Sequence, residues 1–354
     1  MRRALCILVA VLALAGAPAA GATYDPVGSG ATRIVLDSGF VSLLRGHGVE
    51  ISATTPAKLQ GRIFTLPVSG GEMDPTDGKG TIEHEGSLIF TSARKRVPFR
   101  ALSVKVKKTP LIAKVGGSQL KVAKAQRIAS HREGFGVGFG ATGLTLTQKV
   151  ATRLNKKLGL GRLLAEGQRF GSVTSRTQPA SVELLPTGSA VLTPDPAFRA
   201  KLDSLFVAVN PIHPAQALGG VFSFPITVGG EIAPDASSGT LKVAGDLEFL
   251  QLGAGQVFWR QPWLDLAVHS GSADVDIEPT PAFPGKIGRL GIVGLGPGAV
   301  AVDPASRTIS LSSAPATLTA EAAASFNQAF TQGASPAFSA GEPVGTVSFI
   351  ATAH

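Results

Sequence analysis

Residues 70–90 read GGEMDPTDGKGTIEHEGSLIF, and residues 229–249 read GGEIAPDASSGTLKVAGDLEF. At a constant offset of 159 positions, nine of these 21 residues are identical without a gap. Identity at a fixed offset indicates that one structural unit occurs twice in the chain. The residues of the first segment that recur are Gly70, Gly71, Glu72, Pro75, Gly80, Thr81, Gly86, Leu88 and Phe90.

The match extends on both sides of this segment and keeps the same order. Upstream, Asp37 and Phe40 correspond to Asp195 and Phe198. The sequence therefore predicts two tandem domains, 23–185 and 186–354, which follow a separate segment at 1–22. Further landmarks pair 64–67 with 222–225, 146–155 with 318–327, and 171–173 with 345–347.

Each copy shows the pattern of a β-rich domain with two short helices. Asp37 and Asp195 are predicted N-caps of a first helix, and Thr147 and Thr319 are predicted to begin a second helix. With 43 glycines and 24 prolines marking many turns, we predict an all-β fold with minor α content. Each of the two tandem antiparallel domains is predicted to be a β-sandwich or a partly open barrel. Alternating apolar residues predict strands at 63–68, 81–90, 102–106, 111–115, 239–249, 263–268 and 273–277.

The N-terminus has the layout of a secretory signal peptide. Two arginines precede an apolar run at 4–15, and residues 20–22 read Ala-Gly-Ala, which is typical of a cleavage site. We predict that residues 1–22 are removed and that the mature protein is secreted or held at the cell envelope. No transmembrane segment is predicted in the mature chain. The one cysteine, Cys6, lies within the signal, so no disulfide is expected.

Charge is divided unevenly between the two copies. Residues 23–179 contain 24 Lys and Arg and 10 Asp and Glu, a net of +14, whereas residues 180–354 contain 7 and 14, a net of −7. Within 94–169 there are 18 basic residues and two acids. This stretch is expected to attract anionic partners at low salt, or else to be a solvated face that complements the acidic second copy.

Six cationic side chains of the first copy are candidate contacts for an anionic partner. For an exported protein, an anionic wall polymer, lipid headgroups or a carboxylated small molecule suit such a surface. Nucleic acid is not predicted, because no aromatic residues are usefully interleaved for stacking on bases. The candidate contacts are Arg94, Lys95, Arg96, Arg100, Lys105 and Lys107.

The sequence lacks the motifs of common enzyme and metal-site classes. No G-x-S-x-G segment is present and the six histidines are scattered, so neither catalytic residues nor a metal site are predicted. Residues 138–143 read GFGATG, and without a βαβ context a glycine turn is favoured over nucleotide binding. Asp274, Asp276 and Glu278 alternate along one strand, where a solvated face is favoured over a Ca²⁺ site.

His84 is the one histidine that the strand pattern places on an apolar face. By alternation its side chain shares a side with Ile82 and Leu88, so it is predicted to point toward apolar surroundings. A cofactor ligand and a core histidine with satisfied hydrogen bonds both suit this position.

The repeated pattern resembles the HtaA domain of actinobacterial exported proteins. The residues that carry the resemblance are GTI at 80–82, GSLIF at 86–90 and ATLTAEAAASF at 316–326. The resemblance covers both copies and implies an all-β domain that captures haem at the cell surface. It also implies a tyrosine from the first helix as iron ligand, with a histidine nearby. Leu43 stands at the expected tyrosine position, and His84 is the candidate haem ligand.

These observations predict a non-enzymatic binding protein, secreted or at the cell surface, that resembles HtaA domains and has haem as its expected cofactor or partner. The alternative is a structural or adhesion module of the cell envelope that holds an anionic wall polymer through its basic first domain. A hydrolase is a third hypothesis, for which the sequence offers no pair of nucleophile and base. No oligomeric state is predicted.

Overall fold

The computed structural model describes most of the chain. The described residues are 24–93, 95–106, 109–115, 117–253, 255–278, 285, 287–331 and 335–354. The predicted signal peptide at 1–22 lies outside them. None of the helices in these ranges has the length and apolar character of a membrane-spanning segment.

The first repeat folds into short strands and two helices. Its described elements are β1 (Asp25–Leu36), α1 (Ser38–Gly46), β2 (Val49–Thr54), β3 (Lys58–Gln60), β4 (Ile63–Met73), β5 (Gly80–His84), β6 (Ser87–Ser92), β7 (Lys95–Val106), β8 (Thr109–Val115), β9 (Ser118–Lys124), β10 (Arg127–Glu133), β11 (Gly136–Leu146), α2 (Gln148–Leu158) and β12 (Arg169–Pro179).

The second repeat follows the same plan. Its described elements are β13 (Val182–Pro194), α3 (Pro196–Ser204), β14 (Val207–Ile212), β15 (Gln216–Leu218), β16 (Val221–Pro225), β17 (Glu231–Ile232), β18 (Gly239–Lys242), β19 (Asp246–Gln251), β20 (Gly255–Asp265), β21 (Ser270–Ile277), β22 (Gly288–Leu295), β23 (Ala299–Asp303), β24 (Thr308–Leu318), α4 (Ala320–Phe330) and β25 (Pro343–Ala353).

Strand pairing closes a ring of eight strands in each repeat. In the first, β7, β5, β4, β1, β12, β11, β9 and β8 pair in that order, and β8 pairs back with β7. In the second, the order is β20, β18, β17, β13, β25, β24, β22 and β21, and β21 pairs back with β20. The predicted all-β fold with two short helices in each antiparallel domain is confirmed, and the ring closes instead of staying partly open.

The helix starts follow from their capping residues. Asp37 Oδ1 accepts a hydrogen bond from Phe40 N at 3.1 Å, and Asp195 Oδ1 accepts from Phe198 N at the same distance. These bonds satisfy amide groups that the first helical turn leaves free. The predicted starts at Asp37 and Asp195 are therefore confirmed, and α2 and α4 begin directly after Thr147 and Thr319 as predicted.

An asparagine on the second helix ties down the segment that follows it in both repeats. Asn155 Nδ2 donates to Leu164 O at 2.8 Å, and its Oδ1 accepts from Leu164 N at 3.0 Å. Asn327 makes the same pair of bonds to Phe338, at 2.8 and 2.9 Å. The amide side chain of asparagine offers both a donor and an acceptor, so one residue can bind the N–H and the C=O of the following segment. The same asparagine makes these two hydrogen bonds in both repeats.

The recurring glycines break strands that the sequence predicted as continuous. The segment 81–90 is two strands, β5 and β6, and 239–249 is likewise β18 and β19. Gly86 has φ of +89° and Gly245 of +94°, a region that side chains disfavour. A Cβ atom on Gly86 would lie 2.5 Å from Ala57 Cβ. The chain therefore turns sharply at these glycines.

The glycine-rich segment 138–143 is also different from its prediction. It lies inside β11, which pairs with β10 and β12, so the predicted glycine turn is wrong. In the second repeat, the glycine-rich residues 294–298 lie elsewhere in the fold, and 296–298 form the connection between β22 and β23.

Each repeat has its own apolar core, and a phenylalanine of the first repeat also contributes to the core of the second. The first sheet ends at Pro179 and the second begins at Val182. Phe135, at the turn between β10 and β11 of the first repeat, is buried within the core of the second. The neighbouring Arg132 guanidinium donates a hydrogen bond to the backbone oxygen of His354. The two repeats are thus joined by an apolar anchor as well as by the chain.

Candidate functional site

His84 lies in the interior of the first ring, where both of its ring nitrogens are engaged. Its Nε2 lies 2.6 Å from Thr32 Oγ1, and its Nδ1 lies 3.0 Å from the backbone oxygen of Leu102. Because a carbonyl oxygen only accepts, Nδ1 carries the proton and Nε2 accepts from the hydroxyl of Thr32. The predicted apolar surroundings of His84 are present, since Ile82 is fully buried beside it.

The polar row continues from His84 through Thr32 of β1 to Ser175 of the neighbouring strand β12. Thr32 Oγ1 and Ser175 Oγ are joined by a hydrogen bond of 2.7 Å. Burial lowers the pKa of His84 to about 4, and the hydrogen bond to Leu102 opposes only part of that effect. The imidazole is therefore neutral at neutral pH.

The second repeat has no such row. Thr32 faces Ser175 across the ladder of β1 and β12, and the matching ladder of β13 and β25 places Ala190 opposite Phe349. In the repeated sequence, His84 corresponds to Val243. The hydrogen-bonded trio of the first repeat is thus replaced by three apolar residues, and it is a property of the first domain alone.

The position expected for the haem tyrosine carries other side chains in both repeats. Leu43 packs against the first core from α1. In α3, Lys201 Nζ donates to the backbone oxygen of Ala337 at 3.0 Å, and Leu202 is buried. Tyr24, the one tyrosine of the sequence, lies at a separate groove on β4, β5 and β7. None of these four positions supplies a phenol from the first helix.

The candidate cationic residues that the structure describes lie along β7. Arg96, Arg100 and Lys105 are exposed on the outer face, while Val97, Phe99, Val104 and Val106 of the same strand are buried. Lys95 is exposed at the start of the strand. The strand predicted at 102–106 is therefore confirmed as part of β7, with its cationic side chains on the exposed face. Arg94 and Lys107 lie outside the described residues.

Two neighbouring strands extend this charge. Lys114 of β8 lies directly opposite Arg100 of β7, and β9 adds the exposed Lys121 opposite Ile112. We call the outer surface formed by Arg96, Arg100, Lys105, Lys114 and Lys121 the cationic face. Like charges directly opposite each other on a sheet are destabilising unless an anion lies between them.

Helix α2 adds further positive charge to the first domain. It packs on β7 and β9, and its exposed side includes Lys149 and Lys156. The corresponding residues of α4 in the second repeat are Glu321 and Gln328. The positive surface thus belongs to the first domain and is absent from its copy.

The carboxylates of β21 are paired with arginines. Asp276 Oδ2 lies 2.6 Å from Arg260 Nε, and Asp274 Oδ2 lies 3.5 Å from Arg289 Nη1. Among the described residues, no group of three or more His, Cys, Asp or Glu side chains is placed to hold a metal ion. Asp274 and Asp276 are therefore ion-paired, whereas the sequence predicted a solvated strand face.

The fold is thus a tandem pair of closed antiparallel β domains, the first cationic and carrying a polar row inside its ring. No family model and no curated protein matches the chain.

The chain is similar, about half its length at a time, to solved structures from Corynebacterium glutamicum. The N-terminal domain of HtaA shares 19% identity and a TM-score of 0.36, over 48% of this chain and 98% of that one. The C-terminal domain of HtaA shares 13% identity and a TM-score of 0.34, over 44% of this chain and 98% of that one. HtaB, described as a heme-binding protein, shares 10% identity and a TM-score of 0.33, over 49% of this chain and 95% of that one. Two of these three structures are domains of HtaA, the protein whose domain the repeated pattern resembles in sequence.

Proposed function

We propose that this chain is a non-enzymatic binding protein whose first domain binds an anionic polymer through the cationic face. The observation that supports this is the direct opposition of Arg100 and Lys114 on the outer surface of the ring. A bound polyanion would relieve the repulsion between these two side chains. The relief of this repulsion, which destabilises the free protein, adds to the free energy of binding. We further propose, from the signal-like layout of residues 1–22, that the protein acts outside the cytoplasm, on a polymer of the cell envelope.

The non-enzymatic part of the proposal rests on burial. Thr32 and His84 form a hydroxyl and imidazole pair of the kind that a nucleophile requires. Thr32 is 0% exposed and Ser175 is 2% exposed, so a substrate has no path to these hydroxyls in this structure. The row is better explained as a set of core polar groups that satisfy one another.

Charge reversal at Arg100 tests the cationic face. We expect Arg100→Glu to lower the affinity for immobilised polyphosphate or polyglutamate by roughly tenfold or more, because each cation near an anionic surface contributes about 1 kcal/mol to binding. The variant should therefore elute at a lower salt concentration. The measurement is the salt concentration needed for elution. Folding stability is expected to stay equal or rise slightly, since the new carboxylate would face Lys114.

The matched control is Lys58→Glu, which makes the same charge change on the exposed strand β3, away from the cationic face. Equal losses in the two variants would show that net charge, and not this face, governs retention, and would contradict the proposal. The salt dependence should also be steep for the natural protein, because exposed charges are screened.

Haem is the second candidate ligand, and its two carboxylates make it an anion that suits a cationic domain. The sequence resemblance implies haem, and the similar protein HtaB is described as binding it. His84 as iron ligand stays a prediction. Ligation through its side chain would require the bond to Thr32 or the bond to Leu102 to break.

A hemin titration tests this candidate. If His84 is the iron ligand, the natural protein shifts the Soret band and His84→Val, which carries the residue of the second repeat, loses that shift completely. Absence of a shift in the natural protein would remove haem as a candidate. An equal shift in both proteins would keep haem and remove His84 as its ligand.

A further inference from the structure

A second cationic site lies on a different side of the first ring. A groove of about 630 Å³ runs over the outer face of β10, β11, β12 and β1, and Arg33, His131 and Arg176 line it. Along the ring, β4 and β5 lie between these strands and β7, and β9, which carries Lys121 of the cationic face, pairs with β11 only at Thr145 and Leu146, beyond the groove residues of that strand. The groove is therefore distinct from the cationic face.

The strand register aligns the two arginines and the histidine on one face of the sheet. His131 pairs with Gly138, Gly138 with Arg176, and Arg176 with Ala31, so these residues form one row across four strands. Arg33 is two residues beyond Ala31 on the same face of β1. Because neighbouring strands are about 4.8 Å apart and residues on one face of a strand about 6.6 Å, Arg176 starts roughly 8 Å from Arg33 and roughly 10 Å from His131, while Arg33 and His131 start roughly 16 Å apart.

The floor of the groove consists of residues with little or no side chain. Gly138 lies under the ring of His131, since a Cβ atom at Gly138 would be 2.5 Å from both Cε1 and Nε2 of that histidine. A Cβ atom at Gly140 would meet nothing within 4 Å, so the groove is open there. Ala31 and Ala129 complete the floor. A ligand can thus approach the sheet backbone closely between the charged groups.

The second repeat shows the same row without charge. Its ladder joins Ala301 to Ser310, Ser310 to Ile350, and Ile350 to Ser189, in the positions of His131, Gly138, Arg176 and Ala31. Val191, two residues beyond Ser189, stands in the place of Arg33. The two arginines and the histidine of the groove are therefore replaced by uncharged residues in the copy, although the backbone pairing is the same.

Nearby carboxylates do not neutralise the groove. Glu133 Oε2 lies 3.4 Å from Arg176 Nε, and both side chains are substantially exposed, so this ion pair is weak. Arg33 faces Thr65 on β4 and Thr174 on β12. The groove thus keeps a net positive charge at its centre.

We propose that this groove binds a small molecule that carries two or more oxyanion groups, either carboxylates or phosphates. A guanidinium group presents paired donors that match the oxygens of a carboxylate or phosphate, and the groove supplies two such groups. The imidazole of His131 supplies a third donor, and the glycine floor gives the ligand room. The site is separate from the polymer-binding surface, and neither proposal depends on the other.

Calorimetric titration of the full chain with citrate and with pyrophosphate tests the site, with acetate at equal ionic strength as the monovalent control. We expect citrate, pyrophosphate or both to bind and acetate not to bind. The imidazole signals of His131 in an NMR spectrum should move during the same titration. Binding of one probe alone identifies the preferred oxyanion, and binding of neither overturns the proposal.

Substitutions taken from the second repeat test the residues. Arg33→Val and Arg176→Ile are each expected to weaken binding roughly tenfold, the loss typical of one charge-assisted hydrogen bond. Glu133→Gln is expected to strengthen binding several-fold, because it removes the competing carboxylate from Arg176. Arg96→Gln, on β7, is the control that removes one positive charge away from the groove. Weaker binding in Glu133→Gln, or equal losses in Arg96→Gln and Arg33→Val, would overturn the proposal.

Discussion

Replacing Phe326 by alanine is expected to lower the free energy of unfolding of the second domain by about 3–5 kcal/mol, the usual loss for a buried phenylalanine. Phe326 of α4 is fully buried. Its ring lies at the centre of an aromatic cluster and stacks on Trp259, with a centroid distance of 5.4 Å and an interplanar angle of 6°. Its other ring partners are Phe198, Phe249, Phe330 and Phe338.

Urea unfolding followed by tryptophan fluorescence measures this loss selectively. The sequence contains two tryptophans, Trp259 and Trp263, and both belong to the second domain. Phe206→Ala is the matched control, because Phe206 is 84% exposed in the same domain. Its effect should stay within about 0.5 kcal/mol. A similar effect of the two substitutions would contradict the core position of Phe326.

Acidification is expected to destabilise the first domain through His84. The folded state holds the pKa of His84 at about 4, against an ordinary value of 6.5. Between these values only the unfolded state takes up the proton, so stability falls as the pH falls from about 6.5 to 4. The loss should reach about 3 kcal/mol at the lower end, and it should disappear in His84→Val. Urea unfolding followed by circular dichroism at several pH values measures this slope.

Asp25 acts in the opposite direction and has to be separated from His84. Burial raises its pKa to about 6, and Glu231, Glu183 and Asp74 add to the shift while Arg132 opposes it. The folded state therefore takes up this proton first, so the Asp25 contribution to stability rises as the pH falls below about 6. Asp25→Asn should expose the full His84 slope, whereas His84→Val should leave only the Asp25 slope. Slopes of the same sign in the two variants would contradict these assignments.

Local signals in the sequence predicted the fold well. Aspartate caps, the alternation along β7 and the repeated glycines each depend on residues close together in the chain, so the helices, the strand face and the duplication could be inferred. The segment 138–143 was misjudged because glycine is compatible with a turn and with a strand interior. Only the pairing of Gly138 with His131 and Arg176 decides between them.

The sites were less accessible to sequence reasoning. The state of His84 depends on Thr32, 52 residues away, and through it on Ser175, which is 143 residues from Thr32. The groove was missed for the same reason, since Arg33, His131 and Arg176 are scattered in the sequence and meet only through strand register. Comparison of the two copies is the signal that could have found them, because Val191 and Ile350 replace both arginines.

Because of Phe135, the second domain depends on a side chain of the first domain for part of its core. The ring of Phe135, which belongs to the first domain, packs in the core of the second. If the chain were cut near residue 180 and the halves separated, the first domain would only expose that ring. The second domain would lose that ring and expose the apolar side chains that the ring covers, which is destabilising. After duplication, one copy has become structurally dependent on the other, so loss of the first half of the gene product would also weaken the second.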